Sequence, residues 1–434
     1  MRSHAPWIAT PIALGLVALP LWVTRAQPVQ PPSQPQQVTE IPSMGDITIT
    51  LAPLERRLMP VAVPTMRGPQ GDAVTQVVAN DLRLSVLFRV LDPANFTANL
   101  ETEGLNITPG PWLSVGANAV VKAETSGAGD ATRVELRVWE PGRPAAPVLS
   151  RTYGPGNPRA LGHRIANDLI QQYTRTPGVF GTRIAFSRRS GRLRRDIFTV
   201  DCDGQNLAQL TSNRRLSYTP SWGPGGSLYY SSQTPEGFLA LFRHGSPGAV
   251  VRADGLVMGA AFGGGRMAVM LTRDGNSDIF IGNPDGTGLR NITNNPAIDT
   301  SPVFSPDGSR IAFVSDRSGN PQVYVMDLNG GGQRRVSYAG GYNNGPSWSS
   351  DGQTIAYAGR TSGGMDIFSI NTATGALRRL TEGSGSNSDP SFAPDGRLIA
   401  YSSTRGGIYL MNQDGLGQTR ILPGVGESLR WEPR

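Results

Sequence analysis

Six related segments, repeating at close to 44 residues, restrict what this chain can fold into. Their apolar centres read "TRIAFS" at 182, "SLYYSS" at 227, "RMAVML" at 266, "RIAFVS" at 310, "TIAYAG" at 354 and "LIAYSS" at 398. Measured from Arg183, the steps are 44, 39, 44, 44 and 44 residues. An aromatic precedes every centre except the first: Trp222, Phe262, Phe304, Trp348 and Phe392. A second strand-like run follows each centre ("DIFTV", "LALFR", "DIFIG", "QVYVM", "DIFSI", "GIYLM"). Four of the six then reach a turn with Gly after Asp or Asn, and a short run such as "RNIT" or "RRLT" closes the unit. Four strands in about 44 residues is the content of one propeller blade. The centres are apolar at consecutive positions, as in Ile311, Ala312, Phe313 and Val314, which suits sheets buried on both faces. The first unit lacks its leading aromatic strand, while the chain ends in "SLRWEPR", where Trp431 and Pro433 echo the "SWGP" of 221–224. The expectation is an all-β six-bladed propeller of WD40-like repeats over residues 179–434, closed by the C-terminal strand.

A chain of 434 residues exceeds one ordinary core, and 54 Gly with 35 Pro favour turns over long helices. Residues 46–176 read as a small α+β domain preceding the propeller. "MPVAVPT" is a short strand, and residues 71–87 place Val74, Val77, Val78 and Leu82 on one helical face with Asp72 as a candidate N-cap. "FRVLD" returns to strand, the runs around "TSGAGD" form a hairpin, and 158–174 is a second amphipathic helix.

The N-terminus speaks to compartment. Arg2, an apolar run from Trp7 to Val23 and the small residues Thr24 and Ala26 fit a signal peptide over 1–26, cleaved after Ala26. An uncleaved anchor is disfavoured because the run is short and holds Pro11 and Pro20. Removal takes Arg2 and Arg25 and no acid, so the formal charge falls from +7 to +5. Residues 27–45 form a Pro/Gln-rich flexible tether, followed by "GDITITL" (45–51), which alternates as a strand does and suits pairing with another protein's sheet edge. Cys202 is the only cysteine, so no intrachain disulfide forms, and a zinc-finger site lacks ligands.

The candidates for chemistry are few. Of three histidines, His4 leaves with the leader, and His163 and His244 read as packing or surface residues. There is no G-x-S-x-G elbow. "DCDGQN" (201–206) could open a calcium loop, but its slot recurs as "NPDG", "DLNG" and "NQDG", so a hairpin turn explains it better. The arginines Arg183, Arg188, Arg189, Arg192, Arg194 and Arg195 read as a solvated loop rather than a nucleic-acid grip. Trp222, Trp348 and Trp431 share one repeat position and read as packing. What varies is the loop before each leading strand: "LSYTP", "LVMGA", "AIDTSP", "GYNNGP", "SNSDP" and "GESLR". By symmetry these six ring one end of the axis, the usual docking face of such an array.

A leader, a small α+β domain and six "SPDG…IAF…IY…G…RLT" blades resemble the TolB family of the Tol–Pal system, and "MPVAVPTM", "VVANDLRLSVLFRVLD" and "HRIANDLIQQYT" extend the likeness into the first domain. The resemblance implies a non-enzymatic, monomeric periplasmic adaptor without cofactor or metal. It would support outer-membrane integrity and constriction during cell division. Its implied partners are the Pal lipoprotein at the propeller mouth and TolA at the N-terminal strand, with room for other outer-membrane or periplasmic proteins, and neither nucleic acid nor a membrane span after leader removal. Carried onto this chain, the Pal-facing candidates are Tyr218, Asp299, Thr300, Tyr342, Asn343, Asn344, Asp389 and Glu427. The TolA-facing candidates are Asp46, Ile47, Thr48, Ile49 and Thr50. The alternative reading, a secreted propeller enzyme or glycan-binding protein, would need Asp299, Asp389 and Glu427 to converge on the axis.

Overall fold

In the computed structural model, residues 58–434 are described, apart from 193, 213 and 214. The leader, the tether and the strand expected at 45–51, with the TolA-facing candidates, lie outside the described residues.

The chain first builds a five-stranded mixed sheet. Strand β1 (Met59–Ala62) leads through helix α1 (Gly71–Leu84) to β2 (Phe88–Val90), a parallel crossover, and β1 also pairs in parallel with a later strand. Two short helices, α2 (Leu100–Glu103) and α3 (Pro109–Ser114), precede β3 (Ala119–Ser126), β4 (Thr132–Trp139) and β5 (Leu149–Gly156), and helix α4 (Pro158–Thr174) follows. The sheet order is β2-β1-β3-β4-β5, antiparallel from β3 onward. Strand β3 buries successive residues because both faces of the sheet are covered. Val61, Ala119 and Val121 pack with α1 and α4, while Ala62 and Val120 pack with Trp112 on the other side. Lys122, the chain's only lysine, is buried on that second face, with Nζ 2.6 Å from Glu103 Oε2.

The expected helices form. Helix α1 begins after Gln70, whose backbone is left-handed, so Asp72 is not the cap and sits in the first turn, where its charge suits the helix dipole. Helix α4 matches the expected 158–174 span and is capped by Asn157, which accepts from the Arg159 amide.

Six four-stranded antiparallel sheets follow, each running from an innermost to an outermost strand. In blade four these are Asp299–Phe304, Arg310–Ser315, Gln322–Asp327 and Arg334–Arg335. Blade one takes its innermost strand, Glu427–Trp431, from the C-terminus, which pairs with Arg183–Gly191 and closes the ring. The consecutive apolar centres are buried as expected, with Ile311, Ala312 and Phe313 inaccessible. The closing "T" or "S" of the repeat has a defined job. Thr211, Thr293, Ser337 and Thr381 accept the amide of Ile197, Ile279, Val323 and Ile367, and donate to Asp196, Asp278, Gln322 and Asp366. The short outer strands are thereby pinned to their blades.

The α+β domain packs on one end of the ring, against blades one and six. Arg159 of α4 pairs with Asp201 and Asp203 in the turn after the third strand of blade one. Those residues form a hairpin turn, as "DCDGQN" led one to expect. Arg397, after the first turn of blade six, donates to Thr174 Oγ1 at 2.6 Å. Gly417 must lack a side chain, since a Cβ would lie 2.5 Å from Val86. One apolar cluster runs without a break from α1 and α4 into Ile184, Phe186, Ala400 and Leu429 of the propeller.

Candidate functional site: the free mouth of the propeller

Each innermost strand starts at the end of the ring away from these turns, so the six variable loops do surround one mouth, opposite the α+β domain. Every innermost strand carries a β-bulge near its start. At each bulge one residue has positive φ: Thr219, Gly259, Ser301, Gly345, Asp389 and Ser428, between 45° and 64°. Four of these are neither Gly nor Asn, and a non-glycine residue there is strained. The bulge breaks the alternation of the strand. The residue two before it is buried in all six units (Ser217, Val257, Asp299, Asn343, Asn387, Gly426), while the next two are partly or fully accessible.

That pattern divides the candidates. Tyr218, Thr300, Tyr342, Asn344, Asp389 and Glu427 reach the mouth with accessible surface. Asp299 and Asn343 do not, since both are 0% exposed. Asp299 accepts both Arg317 Nη2 contacts at 3.0 Å and Asn295 Nδ2 at 2.8 Å, and Asn343 donates to Gln322 Oε1 at 2.7 Å. The reason is the bulge, which turns these two side chains away from the mouth; the Asp299 carboxylate is paired there through both oxygens, whereas Asn343 Oδ1 is left without a partner.

The mouth pairs aromatic rings with cations. The Arg195 guanidinium lies 5.1 Å from the Tyr218 ring centre and forms an ion pair with Glu427, and Arg360 lies 4.9 Å from the Tyr342 ring centre. Arg195, read from sequence as part of a solvated loop, is 7% exposed and locked in this pair, so the loop reading fails for it, while Arg189, Arg192 and Arg194 are exposed as expected. Arg183 is also tied, to Glu432. At the same ring, partial burial pushes the Asp389 carboxyl above its ordinary value, against the Ser388 hydroxyl and the positive charge of Arg430. Burial in turn lowers the Arg430 guanidinium, against the attraction of Asp389. Arg430 was missed in the sequence, although it stands alone at a repeat position otherwise held by Ser221, Ala261, Val303, Ser347 and Ser391.

The three acids that an enzymatic reading needs do not all face the mouth, because Asp299 is buried against Arg317, and Glu427 is held in an ion pair with Arg195. Neither described histidine is at the mouth. His163 is buried in α4, and His244 follows the third strand of blade two at the opposite end. Trp222, Trp348 and Trp431 are buried packing residues, as their shared position suggested. Around the polar centre, four entry loops carry exposed apolar side chains: Leu256 (42%), Ile298 (48%), Tyr338 (69%) and Val425 (45%). A polar, arginine-stacked centre is thus bordered by exposed apolar side chains.

The TolB beta propeller domain family matches residues 170–431, more than half the chain, and the TolB amino-terminal domain family matches residues 46–142. The chain belongs to the TolB family. It is 38% identical over 282 residues to the Tol-Pal system protein TolB of Anaeromyxobacter sp. (strain K), an alignment covering 59% of this chain and 62% of that one. It is 32% identical over 270 residues to the protein of the same name from Gluconobacter oxydans (strain 621H), covering 58% and 56%. The alignments thus span about 60% of the length of these TolB relatives. The crystal structure of TolB from Acinetobacter baumannii superposes with a TM-score of 0.76 at 24% identity, over 87% of this chain and 97% of that one, a likeness of fold.

Proposed function

We propose that this protein is a non-enzymatic periplasmic adaptor of the Tol–Pal system. Its propeller mouth docks the Pal lipoprotein, and its segment around residues 46–50 engages TolA. In this role it would link the outer membrane to an inner-membrane complex during envelope constriction. The observation that carries the reading is the mouth itself: two accessible tyrosines with stacked arginines, ringed by exposed Leu256, Ile298, Tyr338 and Val425, on the end left free by the α+β domain. Tyrosines bring large contact area at small entropic cost, which makes Tyr218 and Tyr342 the anchors. Relatives named for the Tol–Pal system support the assignment of partners. A periplasmic location agrees with the leader-like N-terminus, and no helix among the described residues is long and apolar enough to cross a membrane.

Calorimetry with the cognate Pal periplasmic domain tests this. Tyr218→Asp and Tyr342→Asp should each weaken binding at least about tenfold, the size of one lost anchor, with little change in thermal unfolding. Unchanged affinity in both variants would remove the mouth as the docking site. Deleting residues 27–51 should abolish TolA binding and spare Pal binding, and loss of both would contradict the separation of the two sites.

A further inference from the structure

Far from the mouth, a buried cluster lies where the α+β domain meets blade one. Asp81 of α1, His163 of α4 and Asp203 of the blade-one turn each bring a ligand atom to within 4.8 Å of the others. His163 Nδ1 is 2.6 Å from Asp81 Oδ2, and Asp203 accepts Arg159 Nη2 at 2.7 Å. The same guanidinium reaches Asp201 at 2.9 Å.

Two independent features mark the cluster as incomplete. The first is composition. Three carboxyl groups (Asp81, Asp201, Asp203) gather around one guanidinium and one imidazole, an acid-rich set. The second is hydrogen bonding. Asp81 Oδ1 and His163 Nε2 are both buried without a partner, on side chains that are 0% and 7% exposed. Buried polar atoms are normally satisfied, and the free Asp81 oxygen belongs to a carboxylate already inside the cluster.

We propose that Asp81, His163 and Asp203 bind one divalent transition-metal ion of zinc type, which staples the α+β domain to blade one. One imidazole and two carboxylates form a borderline donor set suited to Zn2+, with the fourth position open to water. Coordination occupies the orphaned Asp81 oxygen. Arg159 holds the Asp203 carboxylate from behind, as outer partners of metal ligands do. The Cys202 thiol lies toward Val179 O at 3.6 Å and is not counted among the ligands. Because the three ligands come from α1, α4 and blade one, the ion would fix the two domains against each other without touching the mouth.

The test uses the full chain after leader removal, stripped with a chelator and titrated with Zn2+. One ion per chain should bind with a Kd in the micromolar range or tighter. The thermal unfolding midpoint should rise at about 100 µM Zn2+, since a ligand specific to the folded state stabilises it by mass action, whereas Mg2+ should leave it unmoved. His163→Gln and Asp203→Asn should each weaken binding at least tenfold. Co2+ added to the unaltered chain should give a visible ligand-field band, a readout that does not depend on the variants folding. Absence of both the heat and the midpoint shift with Zn2+, absence of the Co2+ band, unchanged Zn2+ affinity in both variants, or stronger binding of Mg2+ would each overturn the proposal.

Discussion

At the end of the propeller that carries the α+β domain, one turn design recurs. Gly308, Gly352 and Gly396 sit at φ 68°, 67° and 71° and each donates its amide back three residues, to Ser305, Ser349 and Ala393. Asp307 and Asp351 accept the hydroxyl of the serine two residues before, Ser305 and Ser349. At the mouth, the six loops in equivalent positions share a backbone bulge and almost nothing else: Tyr218, Met258, Thr300, Asn344, Ser388 and Glu427 occupy one ring position. The same repeat thus yields uniformity at one end and six different side chains at the other. Turns that only reverse the chain are held to the residues a left-handed position accepts. Loops held in place by a rigid scaffold are free to differ, and there a partner can be read. The uniform end is also where the first domain docks, through the two blades, one and six, that flank the ring closure.

The comparison breaks most severely at the docked end. Gly417→Val would force a Cβ to within 2.5 Å of Val86 at a residue with φ +67°. Overpacking together with backbone strain should cost about 3 kcal/mol, read as a lower urea midpoint, with Pal affinity of the folded fraction unchanged. Asp299→Ala comes next, at the mouth end but turned away from the mouth. Removing the buried partner of Arg317 should cost about 2 kcal/mol. If Asp299→Ala instead weakened Pal binding without loss of stability, the division between structural and contact positions at the bulge would be wrong.

The two ends should also titrate in opposite senses. Asp307, in a turn, is held down to about 2 by the Ser305 and Ser309 hydroxyls and the Ser309 amide. A depressed carboxyl contributes stability above its unfolded value of about 3.9 and loses it as pH falls toward 2. Being exposed, it should contribute about 0.5 kcal/mol or less. Asp389, at the mouth, is raised by burial. Its contribution is complete below the unfolded value and is lost as pH rises through the folded one. Unfolding midpoints measured across pH for Asp307→Asn and Asp389→Asn should therefore flatten opposite limbs of the profile, and flattening of the same limb would refute the contrast. The smallest effect is a gain. Ser301→Gly at φ 54° should relieve bulge strain and stabilise by about 0.5 kcal/mol, seen as a slightly higher midpoint.

Much of the fold was legible because blade packing writes itself into the sequence. Consecutive apolar residues such as Ile311 to Val314 must be buried on both sides, and Trp431 at the terminus had a vacant partner in the first repeat. The ring of loops was legible from the same symmetry. The facing of individual side chains within it was not. Asp299 and Thr300 are neighbours in "AIDTSP", yet one is sealed against Arg317 and the other is accessible, since a bulge shifts the alternation by one residue and leaves no mark in residue type. Asp72 was a reasonable cap by type, but the chain enters α1 through a left-handed Gln70.

Local rules operate over a few residues, so periodicity, turn chemistry and the closing Thr or Ser of four repeats determined the six blades, the two long helices and the ring of variable loops. Contacts across large sequence separations needed the tertiary structure. Glu427 reaches Arg195 and Trp431 reaches Thr182 only because the last strand inserts beside the first blade. Asp81, His163 and Asp203, three unremarkable residues up to 122 positions apart in the chain, meet only because α1 and α4 pack onto a turn of blade one. Desolvation there pushes the Asp81 carboxyl well above its ordinary value, a character its residue type alone does not carry.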